Sequence, residues 1–130
     1  MSNLVVRTAV EAQIAAALPS GVPFISTINE GERPAANTWV TVEYQMDYEE
    51  KLCYSGDKRI ENGSITVSVV GRPGIGPTPA HTVAENLVAS LRTYIGGPVE
   101  IIEIIGPNDA GGDADGSYVV EFVMNYTYAI

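Results

Sequence analysis

The C-terminal segment "SYVVEFVMNYTYAI" carries a large apolar or aromatic side chain at every second position. Side chains two residues apart point to the same side of a β-strand, so the pattern predicts a long strand with one continuous apolar face. Such a face is stable only when another layer of structure covers it. The residues of this face are Tyr118, Val120, Phe122, Met124, Tyr126 and Tyr128.

Two segments have the helical periodicity that supplies a covering layer. We expect the first helix to run roughly from Asn3 to Leu18, with Ser2 as its cap. The second has Thr78 at the N-cap, Pro79 at the first helical position and Gly96 just past its end. The apolar stripes are Val6, Val10, Ile14, Ala17 and Leu18 in the first helix, and Ala80, Val83, Ala84, Leu87, Val88, Leu91 and Ile95 in the second.

Four other segments are predicted to be strands. "PFISTI" is expected to be a short edge strand, and "VEIIEII" a buried strand. "TWVTVEYQM" and "SITVSVV" alternate and form a hairpin, whose elaborate polar tip runs from Asp47 to Asn62. The segment "GPNDAGGDADG" is expected to be a solvated loop. The hairpin's apolar faces consist of Val40, Val42, Tyr44 and Met46 on one strand and Ile65, Val67 and Val69 on the other.

These elements predict one α+β domain that spans residues 1–130. Their order is α-β-β-β-α-β-β, and we detect neither an internal repeat nor a linker. A single mixed sheet of four to five strands, with both helices packed on one face, satisfies all the apolar patterns.

Composition excludes several classes of function. The chain has a net charge of −9, with 16 acidic and 7 basic residues, and no basic stripe that would bind a phosphate backbone. No apolar run approaches the ~20 residues of a spanning helix. The single cysteine forms no internal disulfide. The N-terminus "MSNLVVRTAVEAQ" meets Glu11 too early for a signal peptide, which predicts synthesis in the cytoplasm.

The glycine-rich stretch "GRPGIGPTPAH" lies between a strand and a helix, where nucleotide-binding proteins place phosphate. It lacks the lysine of a P-loop, and Pro79 occupies the position of the third glycine of a dinucleotide fingerprint. Three prolines remove backbone N–H donors that would hold an anion. We interpret it as a stiff connection.

The acidic stretch "GGDADG" has part of the spacing of a calcium loop. In that alignment Gly111 falls at the first ligand position and Phe122 at the bidentate acid, so the pattern fails at both ends. We expect neither a metal nor a cofactor.

No catalytic constellation is predicted. Cys53 lies in a polar loop and His81 in the first turn of the second helix, and nothing in the sequence pairs them. The carboxylates of "DYEE" are typical of a solvent-exposed surface. Trp39, at the start of a strand, is typical of a half-buried core residue. We therefore expect a protein that is not an enzyme and acts through its surfaces.

One block and its surroundings resemble a known family. One block reads "RIENGSITVSVVGRPGIGPTPAHTVAENLVASL". In it, the charged segment that returns from the hairpin tip leads into a strand, then a Pro/Gly-rich turn, then a helix. The helix "VEAQIAAALPSGVPF" and the strand "NTWVTVEY" precede it. This order, at this length, resembles the tail terminator proteins of long-tailed bacteriophages, the group that includes the lambda tail terminator.

The resemblance implies a structural protein of the virion. Tail terminators form a homohexameric ring on the last ring of the tail tube, stop tube polymerisation and present the surface to which the head docks. The implied partners are other copies of the chain, the major tail tube protein and the head–tail connector or neck protein. DNA would pass through the lumen without specific binding. The long acidic stretch after Gly106 departs from the family pattern.

The hairpin tip is the predicted interaction surface, because it combines both signs of charge with two tyrosines. An ordinary charged turn is the alternative. The candidate interface residues are Tyr48, Glu49, Glu50, Tyr54, Asp57, Lys58 and Arg59.

Two other functions stay open at this point. Another head–tail joining or tail-completion protein would act at a different position in the virion. A small cytoplasmic protein-binding module would be monomeric or dimeric in solution.

The sequence predicts that folding needs neither metal nor nucleotide. Thermal melts with EDTA, Ca²⁺, Mg²⁺ or ATP are expected to coincide, because a tightly bound ligand raises the melting temperature by mass action. A rise of several degrees with one of these additives would contradict the prediction.

Overall fold

Two helices and five strands follow the predicted order in a computed structural model of the chain. It describes residues 4–18, 22, 24–25, 38–51, 59–74, 78–94, 97, 99–112 and 117–129. The helices are α1 (Leu4–Ala17) and α2 (Thr78–Arg92). The strands are β1 (Phe24–Ile25), β2 (Thr38–Lys51), β3 (Arg59–Gly71), β4 (Val99–Gly112) and β5 (Tyr118–Ala129).

The strands form one sheet in the order β1-β2-β3-β5-β4. β1 pairs parallel to β2, and every other neighbouring pair is antiparallel. The short edge strand predicted at "PFISTI" is β1. The predicted α+β class, with a single mixed sheet, is confirmed.

The core lies between one face of this sheet and the two helices. β3 and β5 pair over twelve residues, so that Ile65, Val67 and Val69 stand beside Met124, Phe122 and Val120. All six side chains are buried, as the alternation predicts. The helices contribute Val6, Val10 and Ile14 from α1 and Ala80, Val83, Ala84, Leu87, Val88 and Leu91 from α2.

Both helices end close to the predicted positions. The amide of Leu18 donates to the carbonyl oxygen of Ile14 at 3.1 Å just past α1. After α2, the amides of Thr93 and Tyr94 donate three residues back, which tightens the last turn. Ile95 and Gly96, which were predicted to complete α2, lie outside the described residues. Neither helix is long and apolar enough to cross a membrane in the part of the chain that is described.

The predicted hairpin tip is shorter than expected, because both strands continue into it. β2 extends to Lys51 and β3 begins at Arg59, and these two residues are paired. A register shift between Met46 and Tyr48 bends the pairing without ending it. Backbone hydrogen bonds between the two strands therefore keep this polar segment in β-strand conformation. The residues that flank the predicted tip on both sides belong to the sheet.

Glu61 links the base of the hairpin to the core. Its side chain is only 3% exposed, and the hydroxyl of Tyr126 donates a hydrogen bond to its carboxylate at 2.6 Å. Glu61 belongs to the predicted tip, and a buried carboxylate needs its hydrogen-bond partner, so the tip is joined to the core at this residue.

β4 differs most from its prediction. The segment "VEIIEII" was expected to be a buried strand, but it lies at the edge of the sheet. Ile102 is 61% exposed and Ile105 is 50% exposed. Isoleucine content indicates a strand, whereas burial depends on which elements lie beside it.

β4 also continues through half of the predicted loop. Three register shifts let it keep pairing with β5 as far as Gly112. At one shift Gly106 has φ of +114°, and a Cβ there would lie 3.1 Å from the Cβ of Phe122. Glycine is therefore required where the strand passes this close to β5.

Gly63 gives a test of packing between β3 and the Tyr126 ring. A Cβ at Gly63 would lie 2.7 Å from the hydroxyl oxygen of Tyr126 and would overlap the carbonyl oxygen of Gln45. We expect Gly63→Ala to lower the free energy of unfolding by about 1–3 kcal/mol in urea denaturation, as overpacking does.

Gly71→Ala is the matched control in the same strand. A Cβ at Gly71 meets its nearest neighbours at 3.9 Å, which is ordinary contact. Equal losses of stability in the two variants would contradict the packing that is described for Gly63.

Candidate interaction surface

Four of the seven predicted interface residues lie in the described strands, towards the end of β2 and at the start of β3. Tyr48, Glu49 and Glu50 belong to β2, and Arg59 is the first residue of β3. Tyr54, Asp57 and Lys58 lie outside the described residues. The two strands therefore hold both ends of this segment in fixed positions.

An ion pair connects the two strands at this point. The Nε of Arg59 lies 3.7 Å from Oε1 of Glu49, and both side chains are about half exposed. An exposed pair of this kind stabilises by only about 0–1 kcal/mol. Both residues can exchange this contact for one with another molecule at little cost.

The exposed edge of the sheet is a second candidate surface, which the sequence analysis missed. We call Glu100, Ile102, Glu103 and Ile105 the β4 surface. Beside it lies a groove of about 260 Å³, lined by Leu91, Arg92, Tyr94 and Ile101–Ile104. An edge strand with exposed isoleucines offers both unpaired backbone groups and apolar area to a partner.

A polar cluster of three side chains ties the start of α2 to the far ends of β4 and β5. Nε2 of His81 lies 2.7 Å from Oδ1 of Asp109 and 3.3 Å from the hydroxyl of Tyr118. The Tyr118 hydroxyl donates to the same Oδ1 at 2.5 Å. The sequence places His81 in the first turn of α2 and carries no pattern that pairs it with Asp109 or Tyr118.

Asp109 is the acceptor in this cluster. The hydrogen bond from Tyr118, followed by that from His81, holds the pKa of Asp109 below its ordinary value. The same bond raises the pKa of Tyr118. A carboxylate only accepts, so Nε2 of His81 carries a proton in this contact.

The cluster contains an acid, an imidazole and a phenol, but none of its hydrogen bonds activates a nucleophile. Its evident role is to fasten three elements together. Its members are 28 and 9 residues apart along the chain, and the sequence analysis had placed Asp109 in a loop. The pairing of β4 with β5 brings Asp109 near Tyr118, and the packing of α2 on the sheet adds His81.

A second cluster fastens the first turns of α1 to β2. The Tyr44 hydroxyl donates to Oε2 of Glu11 at 2.9 Å, and the guanidinium of Arg7 lies 4.9 Å from the centre of the Tyr44 ring. Arg7 also pairs with Glu11 at 3.8 Å. Burial, and then the hydrogen bond to Glu11, raises the pKa of Tyr44 far above its usual range.

The glycine-rich connection is described only in part. Residues 71–74 lead out of β3, and Gly74 has φ of +86°. The guanidinium of Arg72 lies 5.7 Å from the centre of the Trp39 ring, and Trp39 is more deeply buried than the half-buried state that was predicted. Residues 75–77 lie outside the described part, so the interpretation of this stretch as a stiff connection stays a prediction.

Two segments that the sequence does not support as sites also fall outside the described residues. Cys53 lies there, and so do residues 113–116 of the acidic stretch. Within the described ranges, no group of three or more His, Cys, Asp or Glu side chains is placed to hold a metal ion.

Comparisons with known proteins identify the fold. No protein-family model matches the chain, and no curated protein matches it. Twenty-six chains of solved structures do match it. In one, the likeness covers 98% of this chain and 96% of the other at 21% sequence identity, with a TM-score of 0.70. That protein's name states no function, and an identity this low shows a shared fold alone.

The lowered pKa of Asp109 predicts a pH dependence of stability. A carboxyl whose pKa is lowered by folding stabilises the protein above its unfolded pKa of about 3.9, and this contribution is lost as the pH falls through the folded value. We expect wild type to be more stable than Asp109→Asn near neutral pH. The difference should shrink as the pH falls below about 4.

Urea denaturation at a series of pH values measures this difference. Glu85→Gln, which removes an exposed carboxyl from α2, is the matched control. A stability difference between wild type and Asp109→Asn that stays constant down to low pH would contradict the prediction.

Proposed function

We propose that this chain is a tail terminator of a long-tailed bacteriophage. In this role it forms a homohexameric ring on the head-proximal end of the tail tube, stops tube polymerisation and provides the surface to which the head docks. The proposal extends the family resemblance of the sequence. The fold that the resemblance implies, a mixed sheet with helices on one side, agrees with the fold of this chain.

The observation that carries the proposal is the presence of two unlike surfaces on one small sheet. The free end of the β2–β3 hairpin belongs to the second and third strands in the sheet, whereas β4 is the last strand on the other side. A ring is built when one surface of each copy binds a different surface of the next copy. A chain with two such surfaces meets this requirement, and a self-complementary dimer needs only one.

The proposed partners follow from the place in the virion. One face of the ring would contact the major tail tube protein, and the other would contact the head–tail connector or neck protein. The net charge of −9 suits a ring through which DNA passes without adhering. In this role the protein has no catalytic residues and requires neither cofactor nor metal.

Electron microscopy of labelled tails from infected cells tests the position of the chain. We expect one ring of label at the head-proximal end of each tail. Label along the shaft or at the tip would exclude the terminator function. A chain that is absent from virions would favour the cytoplasmic binding module.

Shortening the hairpin tests whether its end is needed. Lys51 and Arg59 are paired, so replacing residues 52–58 with Asn-Gly closes the hairpin with a two-residue turn. This change leaves Glu61 and its hydrogen bond to Tyr126 in place. The variant should fold, yet give tails of uncontrolled length and heads without tails.

Circular dichroism and thermal melting establish that the shortened protein is folded, and tail length is measured by electron microscopy. Normal tails joined to heads, made with a folded variant, would show that residues 52–58 are an ordinary turn. The tail terminator function would then need other surfaces of the chain.

A further inference from the structure

We propose that the first turn of α1 in one copy of the chain binds the β4 surface of a second copy. The residues of this turn that make the contact are Leu4 and Val5, which we call the α1 start. The inference deepens the proposed ring and rests on it for the number of copies. It assigns which two surfaces meet between neighbouring copies and what attracts them.

The exposed apolar side chains of the chain lie mainly in two places. Among the described residues, five large hydrophobic side chains are exposed, and two of them are Leu4 at 74% and Val5 at 41%. Ile102 and Ile105 of the β4 surface are two more, and Met46 in β2 is the fifth. Apolar area that a partner removes from water stabilises a contact. The α1 start and the β4 surface are therefore two candidate halves of one contact.

α1 carries no charged side chain on the side that it turns to solvent. Arg7 and Glu11 are its charged residues, and they pair with each other at side-chain exposures of only 20% and 25%. A helix on the surface of a monomer carries its charges on the solvent side, as α2 does with Glu85 and Arg92. The outward side of α1 therefore suits a partner better than solvent. Beyond the α1 start, its exposed residues are Thr8, Ala12, Ala15 and Ala16.

The β4 surface borders a groove that can receive an aliphatic side chain. The groove has a volume of about 260 Å³ and lies between the end of α2 and the first half of β4. Leu91, Ile101, Ile102 and Ile104 are the aliphatic members of its lining. Leu4, the most exposed of the large hydrophobic side chains, would exchange water for these neighbours on entering the groove.

Charge favours the same pairing. Glu100 and Glu103 give the β4 surface two negative charges, and Arg92 in the groove reduces the sum to −1. The N-terminus of a helix has a partial positive charge, which stabilises carboxylates placed near it. The first turn of α1 contains no acidic residue that would neutralise this charge. The α1 start therefore attracts the β4 surface, whereas a second β4 surface would be repelled.

The charge of the whole chain restricts where two copies can meet. Copies that each carry a net charge of −9 repel one another, so a contact between them is stable only where few acids face each other. The α1 start and the outward side of α1 contribute no acid. A contact of α1 with β4 therefore contains the glutamates of one copy only.

The two surfaces lie on different sides of one copy. The guanidinium of Arg7, one turn after Leu4, lies 4.9 Å from the centre of the Tyr44 ring in β2. Further along α1, Gln13 donates a hydrogen bond to Ser90 of α2 at 2.9 Å. α1 therefore begins on the β2 side, and β3 and β5 separate β2 from β4. The α1 start consequently meets the β4 surface of another copy.

This arrangement has the geometry of a head-to-tail assembly. Each copy offers its α1 start to one neighbour and its β4 surface to the other. Such a contact continues beyond a dimer, and it builds a ring when its rotation closes.

Substitutions on the two surfaces test the contact in solution. One variant carries Leu4→Glu, and a glutamate in the first turn does not weaken the helix itself. The other carries Glu100→Lys and Glu103→Lys. Repulsion across the interface should weaken self-association by about tenfold or more in each variant. Sedimentation over a concentration series measures the assembly mass, and circular dichroism establishes that each variant is folded.

Two control variants place the same charge changes elsewhere. Asn86→Glu adds one negative charge on the exposed side of α2, and Glu43→Lys with Glu85→Lys reverses two exposed glutamates. Both controls should assemble as wild type does. Controls that weaken assembly as much as the two test variants would show that only net charge matters, and would overturn the inference.

Mixing the two test variants gives the decisive result. In an alternating assembly, the introduced glutamate meets the introduced lysines at one contact, and the next contact is wild type on both sides. An equal mixture should therefore recover assembly. Wild type that stays monomeric up to about 1 mM, or test variants that associate as tightly as wild type, would overturn the inference. So would a mixture of folded variants that fails to assemble.

Cross-linking gives an independent readout. A chain with Leu4→Cys, Ile102→Cys and Cys53→Ser has one cysteine on each of the two surfaces. Mild oxidation should join neighbouring copies into products larger than dimers. A chain with only one of the two introduced cysteines should give nothing larger than a dimer. A double variant that also stops at dimers would contradict the assignment.

The outcomes separate this inference from the tail terminator function. Leu4→Glu protein that still forms rings on tails of normal length would leave the function standing and overturn the contact. Cross-linked products beyond dimers from a protein that is absent from tails would support the contact and exclude the function.

Discussion

Burial of one face of the antiparallel sheet is the constraint on which the rest of this structure depends. β2, β3 and β5 present aligned rows of apolar side chains, and α1 and α2 are the layer that excludes water from them. Burying a side chain of this size stabilises the folded state by about 1.5–3 kcal/mol. The helices occupy that face, so they leave the opposite face of the sheet and the β4 edge uncovered in the part of the chain that the structure describes.

Three polar contacts fix the margins of this core. Tyr126 donates to the buried Glu61 beneath the hairpin, and Tyr44 donates to Glu11 where α1 crosses β2. The cluster around Asp109 fastens α2 to the opposite end of the sheet. Each bond satisfies a polar group at the rim, where the apolar contacts end. The hairpin is therefore fastened to the core at its base.

β4 shows how an edge strand is protected. Its register shifts and its acidic side chains oppose indiscriminate pairing with other strands, which is the usual hazard of an open edge. The strand also keeps apolar area on its surface, because Ile102 and Ile105 are exposed.

The sequence by itself determined the elements and the class of fold. The alternation in β2, β3 and β5 and the stripes of α1 and α2 are local periodicities, and each face is apolar whatever lies opposite to it. Local pattern did not decide how far a strand extends. Residues 106–112 look like a loop, and they form strand because β5 supplies backbone partners along their length.

Only the tertiary structure decided which strand lies at the edge and which distant polar groups meet. The isoleucines of β4 are equally apolar, yet Ile101 and Ile104 pack against the core while Ile102 and Ile105 are exposed, because no described element covers them. His81, Asp109 and Tyr118 have no spacing that signals a contact, and the strand order places them together. Burial and polar contacts are relations between elements, so a pattern within one element does not contain them.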